Sequence, residues 1–253
     1  YVNHRVLADP KFALIVDDGR QFLRLTTNQY DLVSLEPPPP LKQGVSRLYS
    51  REFYRDVLDR LAPGGFVSQW LPEEWLTQGA VDLIVRTFVD SFPHAFCFSG
   101  ADRNLILVGS NKPILLEHLE SRFASERLVQ QDMARFALED TRFLLGAIID
   151  TPETLRRKWG DGPLIRDGFV SLDNILISPV QYFGPRQEFA RYKANLRADI
   201  AAVQSWIAGQ SPDLGRAYER FWKSMRARQK TAYFMPDCYV SATNAPDVVA
   251  VFH

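Results

Sequence analysis

The sequence predicts an α/β fold over residues 1–110, a largely parallel sheet with helices on both faces, followed by a mainly helical region over residues 111–253. Three observations predict it. Short apolar, β-branched runs alternate with segments of helical spacing between residues 10 and 110. Each run is closed by acidic residues, prolines or glycines. Beyond Ser110 the runs give way to apolar residues recurring at intervals of three and four.

Taken in order, Phe12 to Val16 is a first buried strand, ended by Asp17-Asp18-Gly19, and Arg20 to Leu25 has helical spacing. Tyr30 to Leu35 is a second strand, ended by Glu36 and four prolines. Ser50 is placed to cap a helix whose Phe53, Val57, Leu58 and Leu61 share a face. Pro63-Gly64-Gly65 stops that helix and turns the chain into a third strand, Phe66 to Leu71. A helix from Thr77 to Phe92 follows, then two strands, Ala95 to Phe98 and Asn104 to Val108. The link Ser99 to Arg103 is of hairpin length, so at least one of these two runs antiparallel. The strand ending at Glu36 is expected at the centre of the sheet, with those of residues 66–71 and 104–108 beside it.

In the second region, helical spacing covers Ile114 to Phe123 and Gln130 to Ile149, and the stretch from Gly160 to Pro163 is the clearest break. Phe189, Tyr192, Leu196, Ile200, Val203 and Ile207 form one stripe, which Gly209 can terminate. Ser211-Pro212 has the pattern of an N-cap followed by a first helical residue.

Thirty basic against thirty acidic residues give a formal charge of zero, so no global field attracts nucleic acid, and no nucleic-acid partner is expected. Cys97 and Cys238 are too few and too far apart for a disulfide framework or a zinc site, which fits a reducing, cytoplasmic setting. His4, His94 and His118 lack metal-ligand spacing, so no metal is expected. No run reaches the ~20 apolar residues of a membrane span. The chain opens without methionine and meets a strand pattern within a dozen residues, which reads as the interior of something longer.

Carboxylates at the carboxyl ends of parallel strands stand where open α/β sheets bind ligands, which singles out Asp17, Asp18 and Glu36. Glu73-Glu74, flanked by Trp70 and Trp75, is either an acidic, aromatic-walled pocket for a cation or a solvated first turn. The prolines after Glu36 form a rigid link without backbone donors, shaping a loop over the cleft or docking on another protein. Arg216, Arg220, Lys223, Arg226, Arg228 and Lys230 oppose Tyr218, Phe221, Trp222 and Met225, a helix that packs one face and solvates the other, or meets an anionic surface.

Several strings occur in order and at close spacing: Val16-Asp17-Asp18-Gly19-Arg20-Gln21-Phe22-Leu23, Tyr30-Asp31-Leu32-Val33, Leu48-Tyr49-Ser50-Arg51-Glu52-Phe53-Tyr54, Leu61-Ala62-Pro63-Gly64-Gly65, and then Gln69. Together, over residues 8–110, they resemble the spermidine synthases. The run Ser34-Leu35-Glu36-Pro37-Pro38-Pro39-Pro40 looks like the spermidine-synthase-like proteins often fused to a membrane domain, which would make this chain the cytoplasmic part of a membrane protein. Ser171-Leu172-Asp173-Asn174 is similar to an acidic motif late in the family.

The resemblance implies a Rossmann-like sheet of the class I methyltransferase type, strand order 3-2-1-4-5-7-6, lacking here its first two strands. The strand ending at Asp18 would then either shift to pair with the one ending at Glu36 or be poorly held. It implies decarboxylated S-adenosylmethionine, or S-adenosylmethionine, as the group donor. Asp18 matches the residue that holds the adenine amino group, and Gly19 the small residue that admits the base. Glu36 lies near the sulfonium and the amine, and Gln69 lines the site of a polyamine acceptor, with Glu73 and Glu74 as further candidates. Tyr49, Phe53 and Tyr54 match a signature that is chiefly a packing element. The chain departs from the family where Pro39 occupies the position of an aspartate that accepts the amine proton. The glycine-rich loop and the carboxylate that grips the ribose lie upstream of the matching residues, so weak donor binding is expected of the chain as given. Aminopropyl transfer leads on this reading, with Glu36 as the catalytic base. A methyltransferase using S-adenosylmethionine and a non-catalytic interaction module are the alternatives.

Overall fold

A computed structural model describes residues 6–38, 40, 44–72, 76–99, 104–134, 141–168 and 200–228. The helix starts follow from their caps. Ser50 Oγ accepts the Phe53 amide (3.2 Å) and opens α2, Arg51–Leu58, while Thr77 Oγ1 accepts the Ala80 amide (3.2 Å) and opens α3, Gln78–Ser91. The helix before them, α1, Gly19–Leu25, is capped by Asp18, whose Oδ1 accepts the Gln21 amide at 2.8 Å.

The strands are β1, Tyr30–Leu35; β2, Leu61–Pro72; β3, His94–Ser99; β4, Asn104–Ser110; and β5, Ile148–Asp150. They form one sheet in the order β1-β2-β4-β3-β5. Only β1 and β2 are parallel; the β2–β4, β3–β4 and β3–β5 pairs are antiparallel. The hairpin expected between the last two strands is present. The sheet is mixed rather than largely parallel, because the chain returns through that hairpin and through β5 instead of through crossover helices.

Three further expectations are corrected. The strand ending at Leu35 lies at an edge, not the centre, and β2 separates it from β4. Residues 12–16 form no strand, and neither do they pair with β1: Leu14, Ile15 and Val16 are 70%, 58% and 91% exposed. The third strand begins at Leu61, ahead of the Pro63-Gly64-Gly65 turn, and absorbs it as an irregularity. Between Tyr30↔Leu61 and Leu32↔Phe66, β1 advances two residues while β2 advances five, with Gly64 at φ 85°.

Two cores flank the sheet. Phe53, Tyr54 and Val57 of α2 and Ile84, Val85 and Phe88 of α3 pack on Val67, Leu71, Leu105 and Leu107. Tyr54 meets Phe88 edge to face at 5.4 Å. The second core joins Leu116, Leu145, Ile148, Val203, Ile207, Leu214 and Tyr218.

Beyond Ser110, the expected helices of 114–123 and 130–149 are replaced by α4, Leu119–Ser125, α5, Arg127–Ala134, and α6, Thr141–Gly146. Ile148–Asp150 is strand rather than helix end, because it completes the sheet beside β3. A helix α7, Pro152–Trp159, stops at the Gly160 break, then come α8, Ile200–Gln210, and α9, Pro212–Arg228. Ser211 and Pro212 take the cap and first helical positions, with the Leu214 amide 3.4 Å from Ser211 Oγ. Packing therefore crosses the change of texture at Ser110. Residues 189–196 of the apolar stripe lie outside the described residues. Among the described residues no helix is long and apolar enough to cross a membrane.

Candidate functional site

The parallel pair fixes one end of the molecule as the place to look. The chain enters β1 from α1 and β2 from α2, and leaves β2 toward α3, so the amino ends of all three helices gather at the carboxyl ends of β1 and β2. That end carries the fixed partial charge of helix termini and the side chains that follow the strands.

Gln69 is the most telling residue there. It lies on β2 as the register partner of Leu35, immediately before Glu36, and is fully buried, yet among the described residues neither its amide oxygen nor its amide nitrogen has a hydrogen-bond partner. The hydroxyl of Tyr54, also fully buried, is equally unpartnered. Burial pushes the Tyr54 phenol well above its usual range, the neighbouring Tyr49 adding to the shift and the adjacent Gln69 opposing it. Buried polar atoms are nearly always satisfied, and among the described residues these three are not.

Above this pair lies the loop after β1. Tyr49, fully buried, directs its hydroxyl to the carbonyl oxygens of Pro37 (3.3 Å) and Pro38 (3.1 Å). Burial raises its phenol as well, so it is a donor at any ordinary pH. Pro37 and Pro40 are buried, whereas Glu36 is exposed. The hydroxyl of Tyr49 thus holds the proline loop, while the Tyr54 ring packs on Phe53, Phe88 and Phe92.

Asp18 and Gly19 are exposed at the start of α1. One Asp18 oxygen is engaged in capping; a Cβ built on Gly19 meets nothing within 4 Å, so the space over this turn is open. The turn is anchored by its next residue. Arg20 Nη1 and Nη2 donate to the Asp167 carboxylate at 2.8 and 2.6 Å, and Asp167 also accepts Ser50 Oγ at 2.7 Å. The Arg20 hydrogen bond holds the Asp167 carboxyl below its ordinary range, against the opposing effect of burial and with help from Ser50.

The sequence-derived residues therefore separate. Gln69 and Glu36 follow adjacent positions of paired strands, and Asp18 and Gly19 stand at the neighbouring helix start. Pro39, Glu73, Glu74, Trp75 and the Ser171-to-Asn174 motif lie outside the described residues. Among the described residues no group of three or more metal-binding side chains occurs. The paired orphans were legible only as a glutamine and an aromatic signature, and the Arg20–Asp167 pair, 147 positions apart, carries no local signal.

Residues 2–99 match the spermine/spermidine synthase domain. A polyamine aminopropyltransferase of Korarchaeum cryptofilum is 29% identical over 150 residues, covering 54% of this chain and 44% of the relative. The polyamine aminopropyltransferase 2 of Pseudomonas aeruginosa is 38% identical over 61 residues, 24% of this chain and 18% of the relative. A polyamine aminopropyltransferase of Klebsiella pneumoniae subsp. pneumoniae is 39% identical over 70 residues, 26% of this chain and 24% of the relative. The chain spans less than half the length of each of these relatives. The ordered motifs and the α/β sheet of the amino-terminal part are thus similar to the spermine/spermidine synthase domain over residues 2–99.

Proposed function

We propose that the protein transfers an aminopropyl group from decarboxylated S-adenosylmethionine to a polyamine such as putrescine. The observation that carries this reading is the orphaned polar surface of Gln69 and Tyr54, buried beneath the loop that begins at Glu36. An amide oxygen and a phenol oxygen are acceptors suited to an amine, and burial excludes the water that would compete for it.

In this reading Asp18 receives the adenine amino group at its uncapped oxygen, and Gly19 leaves room for the ring. The neutral nitrogen of the acceptor attacks the methylene carbon bonded to the sulfonium. A C–N bond forms as the C–S bond breaks, its electron pair returns to sulfur, and methylthioadenosine leaves. The nitrogen then sheds a proton to Glu36 or to water beside it. Gln69 and Tyr54 hold the amine in line with the breaking bond, the kind of positioning that supplies much of the rate in a displacement between two bound reactants.

The test is methylthioadenosine release with decarboxylated S-adenosylmethionine and putrescine, run beside thermal shifts with each ligand and with S-adenosylmethionine. Release that requires both substrates supports the transfer. Turnover of S-adenosylmethionine to S-adenosylhomocysteine would assign a methyltransferase instead, and no shift with any nucleoside would leave an interaction module.

A further inference from the structure

We infer that Asp167, in the segment that follows α7, is a positioning residue for the nucleoside turn Asp17–Arg20. The inference rests on the reading of Asp18 and Gly19 as the adenine side of the donor site.

That turn has little else to hold it. Residues 12–16 are exposed and belong to no strand, Asp17, Asp18 and Gly19 are exposed, and α1 buries only Leu23. The far end of α1 is fixed by Arg60, whose Nε donates to the Leu23 carbonyl (3.0 Å), and by Arg24 on Asp56 (3.0 Å). The near end, where the ligand would sit, is fixed by Arg20. Its guanidinium makes two short, parallel bonds to Asp167 and only long ones to Asp56 (3.4 Å) and the Arg47 carbonyl (3.3 Å). A fork on a carboxylate fixes orientation as well as distance, which a single long contact does not.

Asp167 is itself rigidly placed. Its amide donates to Glu52 Oε2 (3.1 Å), and its carboxylate receives Ser50 Oγ, the cap of α2. Two residues earlier, the Ile165 carbonyl accepts the Arg51 amide (2.9 Å) and the Ile165 amide donates to Thr87 Oγ1 (3.0 Å), with Ile165 in the first core. The carboxylate thus bolts the start of α1 to α2 and α3. Since residue 167 lies well past the family match, a segment outside the conserved domain builds part of its nucleoside site.

The experiment compares Asp167→Asn, Asp167→Glu and Arg20→Gln with the parent. It reads methylthioadenosine affinity by calorimetry and amide exchange of Gln21 and Phe22 in the free protein. Losing a charge-assisted bond here is expected to weaken nucleoside binding and speed exchange in α1 by about tenfold, with α3 amides unchanged. Asp167→Glu, which keeps the carboxylate, should recover part of both. Arg20→Gln breaks the same tie without touching Ser50 or Glu52, so it must reproduce the effect of Asp167→Asn. If only Asp167→Asn acts, or if α3 exchanges as fast as α1, Asp167 serves α2 or global stability and the inference is overturned. If the parent binds no methylthioadenosine, the donor-site reading falls, and the exchange data alone decide whether Asp167 positions the turn.

Discussion

At the scale of single residues, Gln69 and Glu36 have opposite relations to stability. A buried amide with neither atom paired costs the fold about 1–3 kcal/mol, and an apolar side chain of similar shape removes that penalty. Gln69→Met is therefore expected to raise the melting temperature while weakening the acceptor amine, read as a higher KM for putrescine. A drop in melting temperature would show the amide to be structural. Glu36 is exposed, so Glu36→Gln should leave stability alone and act on turnover. An alkyl amine of pKa ~10.4 is almost wholly protonated at pH 7, and freeing its lone pair costs about 4–5 kcal/mol at ~1.36 kcal/mol per unit. A positioned carboxylate does not erase that cost but is worth roughly 10²–10⁴ in rate. With Pro39 where the family has an aspartate, Glu36 is the candidate for that work, and Pro39→Asp should raise turnover where Glu36→Gln abolishes it. If neither change alters the rate of a fast parent, the base lies elsewhere. Tyr49→Phe keeps the buried ring and removes the hydroxyl from the Pro37 and Pro38 carbonyls. Its expected signature is a fall in kcat of about tenfold with a loss of about 1 kcal/mol of stability, since one hydrogen bond to a loop is lost and no packing.

At the scale of elements, the contact of β1 with β2 rests on a glycine. A Cβ on Gly65 would lie 2.7 Å from the Tyr30 carbonyl oxygen and 3.1 Å from that of Asp31, both backbone atoms that cannot swing aside. Gly65→Ala should part the two strands at the amino end of β1, away from the cleft, and cost about 1–3 kcal/mol by chemical denaturation. Gly19→Ala is the contrasting case: at the first position of α1, in open space, it should be neutral or gain up to ~1 kcal/mol. If the adenine ring approaches there, the same change weakens nucleoside binding, and unaltered affinity would move the base off this turn. These elements were legible to different degrees for physical reasons. The caps Ser50 and Thr77 and the bounds of β1 follow from local chemistry, which a sequence carries in full. The edge position of β1 and the fate of residues 12–16 depend on which neighbours are present, and no periodicity encodes that. Ile148–Asp150 is too short to show alternation, so it merged with the helical pattern before it. Asp167 was invisible because its partner Arg20 comes near only once the segment after α7 folds back over α2.

At the scale of the whole molecule, β5 lies between the two cores. Ile148 and Ile149 are both buried, but alternation along the strand sends the first to the core of α8 and α9 and the second to that of α2 and α3. Distant segments are also joined by charge, where Asp167 meets Arg20. That pair links acid stability to the joining of distant segments, and the sign follows from the direction of its shift. The Asp167 carboxyl is depressed in the folded protein, first by the Arg20 hydrogen bond, relative to an unfolded value near ~3.9. Above that value both states are ionised and the pair contributes in full. As pH falls through it the unfolded chain takes up the proton first, stability declines, and the contribution is gone once pH passes below the folded value. Asp167→Asn never has this contribution. The melting temperatures of parent and variant should therefore differ most at pH 6–7 and converge as the solution is taken below about pH 3.9. Because Asp167 is 33% exposed at its side chain, added salt should shrink the gap at pH 7 as well. A gap that stays constant from pH 7 to acid would mean that the carboxylate acts through packing and neutral hydrogen bonds rather than through its charge on Arg20.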